Sequence, residues 1–471
     1  MSCGAHSSSR LHPLSCKERT KAKSKTNCHY LSDILSKTIP EEKKNTFTYL
    51  IIEKNTIFVV TIQNRAQPKS RKQHSKSKKM RITFLKTRLQ QLGLLFIVMT
   101  TCCCSGNARS GGGKPSDEPK EQQVTLLFGG DLMQHEPQFK SAHRPDGTYD
   151  YSAVFELMAP EIKKADLAIA NFEVTLAGPP YKGYPQFCAP DDYLKACIDC
   201  GFDILTTCNN HSVDTYGKGI NRTISVMDSL GMKHLGTYRN QAEREQLYPF
   251  IIEQNGIRIC LLNYTYGTNG IKIPSPYIVN LIDTAVIAQD IERAKALKPD
   301  VIICMPHWGD EYQLLPNKTQ KSLADWMFEK GVDHIIGGHP HVVEPIEVRE
   351  GADGKHLLAY SLGNFVSNQS RPNTYGGAMV RMTLTKKGSK TTLTDCGYNL
   401  YWVSRPPDSG NKHGYVIYPA CHTTEGLTTI ERNKRETILK STRELFAKHN
   451  IGIEEYMLDG SEAPKANVEK K

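Results

Sequence analysis

Five apolar stretches of this chain each run into a short cluster of Asp, Asn, Glu or His, and the clusters share one chemistry. The first carries Asp131 with His135 close behind, and the second carries Asn171 and Glu173. The third reads Asn209-Asn210-His211 with Asp214, the fourth His307-Trp308-Gly309 with Glu311, and the fifth His339-Pro340-His341. Each alone has an ordinary explanation: Asn and Asp after a strand form turns, and a histidine near a strand end is often a satisfied structural residue. Five in succession ask for more. Carboxylate and carboxamide oxygens mixed with imidazoles suit Mn, Fe or Zn; thiolates are nearly absent from the set, and Cys208 reads as packing. Mixed O/N ligation with a bridging acid is what a two-metal hydrolytic site requires, so the expected cofactor is a pair of divalent ions.

Positions from 131 to 341 converge only if the intervening elements bring them to one place. VTLLFGG (124–130), DLAIANFE, FDILTTCNNH, IRICLLNYT, DVIICMPHWG, DHIIGGHPHV and HLLAYSLGNF are short apolar runs that read as strands. DYSAVFELMAPEIKKA, DDYLKACIDC, KGINRTISVMDSLGM, TAVIAQDIERAKALK and KSLADWMFEKG have helical spacing. This alternation predicts an α/β domain with much of its sheet buried on both faces. In a parallel sheet the carboxyl ends of neighbouring strands share one edge, where ligands bind. Residues 376–404 continue as strand-like pieces and 429–449 as a charged, moderately amphipathic helix, a short β-rich and helical extension.

GGDLM, NFE, NNHSVDTYG, HWGDEY, GGHPHV and YSLGNF, in this order, resemble the motif set of CapA-type proteins. That family is named for poly-γ-glutamate capsule synthesis and is related to calcineurin-like metallophosphoesterases. The resemblance covers about residues 124–368, and NNHSVD followed by GHPHV is its specific part. It implies a four-layer αββα sandwich with a metal centre at the strand ends. Carried over by motif, it makes Asp131 a metal ligand, puts Glu173 where a bridging acid belongs and gives Asn210 to the second metal. His307, His339 and His341 complete the coordination it implies. His211 becomes the proton donor to the leaving group, held by Asp214, while Asn171, Glu311 and Asn364 orient ligands or touch substrate. One departure stands out: phosphoesterases usually begin with an Asp-x-His pair, whereas Leu132 and Met133 follow Asp131 here. Either His135 reaches the metal from the loop, or one ion is held more weakly.

Two function classes compete. In one, the site is a hydrolase acting on a phosphoester or a related ester or amide bond. In the other, the same metals bind an anionic envelope polymer such as poly-γ-glutamate, for assembly or export, without cleaving it. His211 separates them, because polymer binding needs no general acid. A metal-stabilised fold without activity is the third, plainer reading. The Gly/Pro/Tyr-rich loops at 181–193 and 265–277 suit the walls of a substrate groove, as do Trp308, Tyr312 and Tyr360, although Trp308 fits a core position equally well.

A formal charge of +11 first suggests a nucleic-acid partner. Residues 1–79, however, hold 17 Lys and Arg against 5 Asp and Glu, so the remainder is mildly acidic and no nucleic-acid partner is implied. Residues 1–79 read as a disordered basic arm or as an untranslated stretch ahead of a start at Met80. From Met80 the chain has a basic start, an apolar run from Leu92 to Met99, then small residues and cysteine, which is the order of a secretory signal. MTTC resembles a lipobox with Cys102 as the lipidated residue, Cys103 and Cys104 remaining open. The expected organisation is a lipoprotein leader at 80–104, a flexible tether at 105–123, the metal-site domain at 124–385, C-terminal strands and helix at 386–455, and a solvated tail at 456–471. The expected location is the cell envelope, lipid-anchored and extracytoplasmic, facing the periplasm or on the outer membrane. Cys197 and Cys200 form a CxxC without the second pair a structural zinc needs.

Overall fold

The computed structural model describes residues 121–464, together with three strands upstream: Thr46–Glu53, Thr56–Gln63 and Arg81–Arg88. Those three pair antiparallel as a small sheet within a unit of their own, distinct from the one that starts at Pro115. The third overlaps the start of the expected leader. Cys102 and the rest of that leader, the remainder of the basic arm, the tether before residue 121 and the tail beyond 464 lie outside the described residues. Among the described residues no helix is long and apolar enough to cross a membrane.

The second unit is built on two large sheets. In the first, the order is Val416–Pro419, Lys390–Ser404, Gly376–Lys387, Gln122–Leu132, Leu167–Phe172, Ile204–Thr206, Lys233–Leu235. The last four of these run parallel, and Asn364–Val366 adds alongside Gln122–Leu132. In the second sheet the order is Ile346–Glu350, Lys355–Ala359, His334–Ile336, Val301–His307, Ile257–Thr265, Phe250–Gln254, and the middle four are parallel.

Side-chain alternation explains the layering. Along Gln122–Leu132, Val124, Leu126 and Phe128 join a core shared with Ile259, Leu261, Ile303, Ile335 and Leu358 of the second sheet. The intervening Leu127, with Ala168, Ala170, Phe172 and Leu205, packs instead on Leu194 and Cys197 of helix Asp191–Cys200 and on Phe155 and Ile162. The second sheet is apolar on both faces, and its outer side takes Ile287, Ile291 and Ala294 of helix Thr284–Ala296 with Leu323, Ala324 and Met327 of helix Lys318–Glu329. Each Val, Leu, Ile, Phe or Met among them contributes roughly 1.5–3 kcal/mol when fully buried. The result is helix, sheet, sheet, helix, the four-layer αββα sandwich expected. Asp283 caps the first of those helices, and Asn317 with Gln320 forms a capping box on the second.

Local expectations differ from the structure in four places. The helix expected over DYSAVFELMAPEIKKA is two single turns, Ser152–Phe155 and Ala159–Ile162. Pro160 opens the second turn because it has no N–H to continue the first. The strand expected over DHIIGGHPHV stops at Ile336, and HLLAYSLGNF divides into Lys355–Ala359 and Asn364–Val366. The C-terminal strand Lys390–Ser404 forms a long hairpin with Gly376–Lys387 and so belongs to the first sheet. Helix Thr429–His449, capped by the Thr428/Glu431 box, seats Ile438, Leu439 and Phe446 in the core. All eight described cysteines are free thiols.

Candidate metal centre

The polar clusters converge, but from two sheets rather than one. The first sheet delivers Asp131, Asn171, Glu173 and the Asn209–Asp214 loop, and the second delivers His307, His339 and His341. Close backbone approach makes this possible. The Asp131 N–H donates to Gly363 O at 3.0 Å, and a Cβ on Gly130 would lie 1.9 Å from that oxygen, so only glycine fits. His339 and His341 adopt φ of 105° and 59°, a region that a bulky L-residue enters at a cost of about 1–3 kcal/mol. The turn is held in place by the His339 N–H reaching Asp131 Oδ2 at 3.4 Å and by Pro340 O accepting from the Tyr312 N–H at 2.8 Å. These left-handed residues are also why the expected strand ends early.

At the centre, one atom each from Asp131, Glu173 and His307 lie within 4.8 Å of one another, all buried. His341 borders the same carboxylates, with Nδ1 3.4 Å from Asp131 Oδ2 and Nε2 3.9 Å from Glu173 Oε1. Its Nδ1 also faces Asn364 Oδ1 at 3.0 Å; donation there leaves the Nε2 lone pair for a ligand. The Asn171 amide donates to Asp131 Oδ1 at 2.8 Å and to Glu173 Oε2 at 3.0 Å, fixing both carboxylates at once. Asn209 in turn donates to Asn171 Oδ1 at 3.1 Å. Asn210 Oδ1 sits 2.8 Å from His307 Nε2. The rings of His307 and His339 are 4.9 Å apart.

Electrostatically the cluster is in deficit of positive charge. Among the described residues no Lys or Arg pairs with Asp131 or Glu173, and both are fully buried. Burial, then the facing Asp131, with Glu311 and Asp214 further off, pushes Glu173 well above the usual carboxylate range. Burial, then the neighbouring imidazoles, holds His307 well below its ordinary value, and burial with His341 takes His339 down to about 3. Glu173 Oε1 and His339 Nδ1 are buried with no hydrogen-bond partner. Two carboxylates, neutral imidazoles and unmet ligand atoms fit a divalent cation: it would restore the charged carboxylate and occupy the free lone pairs.

The remaining sequence-predicted residues fall around this centre. His211 Nδ1 lies 2.7 Å from Asp214 Oδ2, both buried, and the Phe187 N–H donates to the same oxygen at 2.6 Å. His135 does not join the converging ligand atoms. Its Nδ1 either donates to Gln138 Oε1 at 3.2 Å or accepts from the Asn368 N–H at 3.3 Å, according to the tautomer, and burial lowers it to about 4. Glu311 is exposed at the mouth, where its charge helps raise both Glu173 and Tyr266. Trp308 and Tyr360 are core residues, joined by the indole N–H donating to Tyr360 O at 2.9 Å; of the three aromatics only Tyr312 stands at the rim.

The 181–193 and 265–277 loops, expected as groove walls, supply three contributors that the sequence did not single out by residue. Phe187, from the 181–193 loop, is wedged edge-on between His135 at 4.9 Å and His211 at 4.6 Å. Tyr266 packs against His339 at 4.5 Å, and Asn269 Oδ1 accepts from Asn210 Nδ2 at 3.2 Å. Both follow strand Ile257–Thr265, which ends at the same edge; the rule that picked out the other five strand ends applies to this sixth one too.

A family model described as "Bacterial capsule synthesis protein PGA_cap" matches residues 125–369, more than half of the chain. The chain belongs to that family. Among PGA_cap relatives, "Capsule biosynthesis protein CapA" of Bacillus anthracis is 28% identical over 283 residues, covering 57% of this chain and 66% of that protein. "PGA biosynthesis protein CapA" of Bacillus subtilis (strain 168) is 28% identical over 277 residues, covering 56% and 69%. The match thus spans just under two thirds of the first relative's length. Of solved structures, the Haemophilus influenzae NAD nucleotidase NadN aligns with a TM-score of 0.41 at 14% identity, over 73% of this chain and 65% of that one. The calcineurin-like phosphoesterase YfkN of Bacillus subtilis aligns at 0.38 and 14%, over 70% and 99%. At that distance these structures speak to neither substrate nor chemistry.

Proposed function

We propose that this PGA_cap protein is a metal-dependent hydrolase of the cell envelope, acting on a phosphoester or related bond during the metabolism of an anionic capsular or envelope polymer. The observation that carries the reading is the buried Asp131–Glu173–His307 cluster with the His211–Asp214 pair beside it. Asp131, Glu173, Asn210, His307, His339 and His341 would hold one or two divalent ions of Mn, Fe or Zn. A bound cation supplies Lewis acidity towards a phosphoryl or carbonyl oxygen and towards an attacking water. Asp214, buried and also tied to the Phe187 N–H, fixes the His211 ring so that Nδ1 is engaged and Nε2 is left to hand a proton to the leaving group. Phe187 shields that pair from bulk water. The lipobox-like leader with Cys102 supports lipid anchoring outside the cytoplasm.

One observation favours polymer binding without cleavage: His135, the only histidine near the missing Asp-x-His position, has its Nδ1 engaged elsewhere. His211→Asn decides between the readings. On a panel of chromogenic phosphoesters, turnover should fall by ~10²–10⁴-fold while bound metal is unchanged. Unchanged turnover in the variant, or no turnover in the metal-loaded wild type, would remove the hydrolase assignment.

A further inference from the structure

Arg371 is exposed at the rim of the centre, and its guanidinium makes no ion pair and no hydrogen bond among the described residues. It is nonetheless held: its guanidinium carbon lies 4.2 Å over the Tyr312 ring, and that ring lies 6.0 Å from His341. Both halves of this stack are built into the site. Tyr312 has φ of 66°, and its N–H is bonded to Pro340 O between the two histidines of the GHPHV turn. A bulky residue in the left-handed region persists only where its surroundings over-determine it, which points to a use for its position. On the other side, Arg371 O accepts from Thr374 Oγ1 at 2.8 Å, and Thr374 O accepts from Asn364 Nδ2 at 2.9 Å. Asn364 is the partner of His341 Nδ1, so the Arg371 loop and the metal-facing histidine share one hydrogen-bonded chain.

We infer that Arg371 on its Tyr312 platform is a binding subsite for a second anionic group of the substrate, a carboxylate or phosphate flanking the bond that is cleaved. This deepens the proposed function and rests on it. A guanidinium ordered in advance on an aromatic face loses little side-chain freedom on binding and offers a planar fork to two oxygens. It stacks on Tyr312, which in turn neighbours the His341 ring, so it would meet a group other than the one at the metal. The expected substrate is therefore one whose negative groups repeat along the molecule.

Calorimetric titration of the metal-loaded full-length chain tests this with three probes: inorganic phosphate, tripolyphosphate and a tetramer of γ-linked glutamate. Arg371→Ala should weaken one of the two multivalent probes by about tenfold, the size of a lost charge-assisted contact, without altering bound metal. Which probe responds assigns the subsite to phosphate or to carboxylate. Arg371→Lys should recover part of the loss, and Tyr312→Leu should resemble Arg371→Ala. Equal affinity of wild type and Arg371→Ala for both multivalent probes would overturn the subsite, as would no binding of either by the wild type. An equal loss for inorganic phosphate would overturn it as well, placing Arg371 at the metal. Binding is read without turnover, so a failed hydrolase assignment and a failed subsite give different results.

Discussion

Asp290 and Glu173 are both buried carboxylates, 2% and 0% exposed, yet their surroundings differ in kind. Asp290 receives the Arg244 guanidinium at 2.5 Å and 3.2 Å and the Tyr264 hydroxyl at 3.1 Å, and Arg244 also donates to Asn280 Oδ1 at 2.7 Å. Each charge there has its opposite, and the group ties helix Thr284–Ala296 to the second sheet. Glu173 faces a second carboxylate, Asp131, and imidazoles that burial keeps neutral, and one of its oxygens has no partner. A satisfied cluster is part of the fold; an unsatisfied one of like charges has the chemistry that a cation fits.

The sharpest way to separate the two is to remove each carboxylate. Asp290→Ala leaves Arg244 buried and unpaired, and should destabilise the protein by about 3–5 kcal/mol in denaturant unfolding. Glu173→Gln, measured without metal, should leave stability equal or higher, because it removes a buried like charge. Similar losses in both variants would erase the distinction. A smaller effect is expected behind the ligands. Asn171→Ala removes the amide that holds both Asp131 and Glu173, and should lower metal affinity by roughly 10–100-fold with the fold intact. Titration with a competing chelator would read this, and unchanged affinity would mean the carboxylates hold their own orientation.

The same charges set a pH dependence. His339, at about 3, and His307, also well down, are depressed from an ordinary 6.5, so the stability tied to their neutral forms is present above 6.5 and lost as pH falls below it. Glu173 is raised, so its contribution is present below the ordinary 4.5 and lost as pH climbs through its folded value. Thermal melts of metal-free protein should therefore decline on both sides, and added divalent metal should restore the neutral side only. A melt curve flat from pH 4 to 8 in both states would contradict the assigned charges.

How far the chain could be read in advance follows the same division. The strand-end residues Asp131, Glu173, His307, His339 and His341 were legible because their chemistry is unlike that of the apolar runs before them, and the structure gathers them. That they arrive from two sheets was legible only through family resemblance, since periodicity says nothing about which strands share a sheet. Phe187 was not legible: an aromatic in a Gly/Pro loop carries no mark of the histidines it will separate. Nor was Arg244–Asp290, whose partners sit 46 positions apart on two helices and look like ordinary surface charges. The early end of the HPHV segment depends on positive-φ backbone at His339 and His341, a conformation uncommon for any residue but glycine even though histidine adopts it more often than most.

The most direct test is bound metal itself, measured by inductively coupled plasma mass spectrometry on full-length protein beside Glu173→Gln and His339→Ala. The wild type should hold one or two Mn, Fe or Zn ions per chain, and both variants should lose them. A wild type that holds no metal after reconstitution with each ion would contradict it.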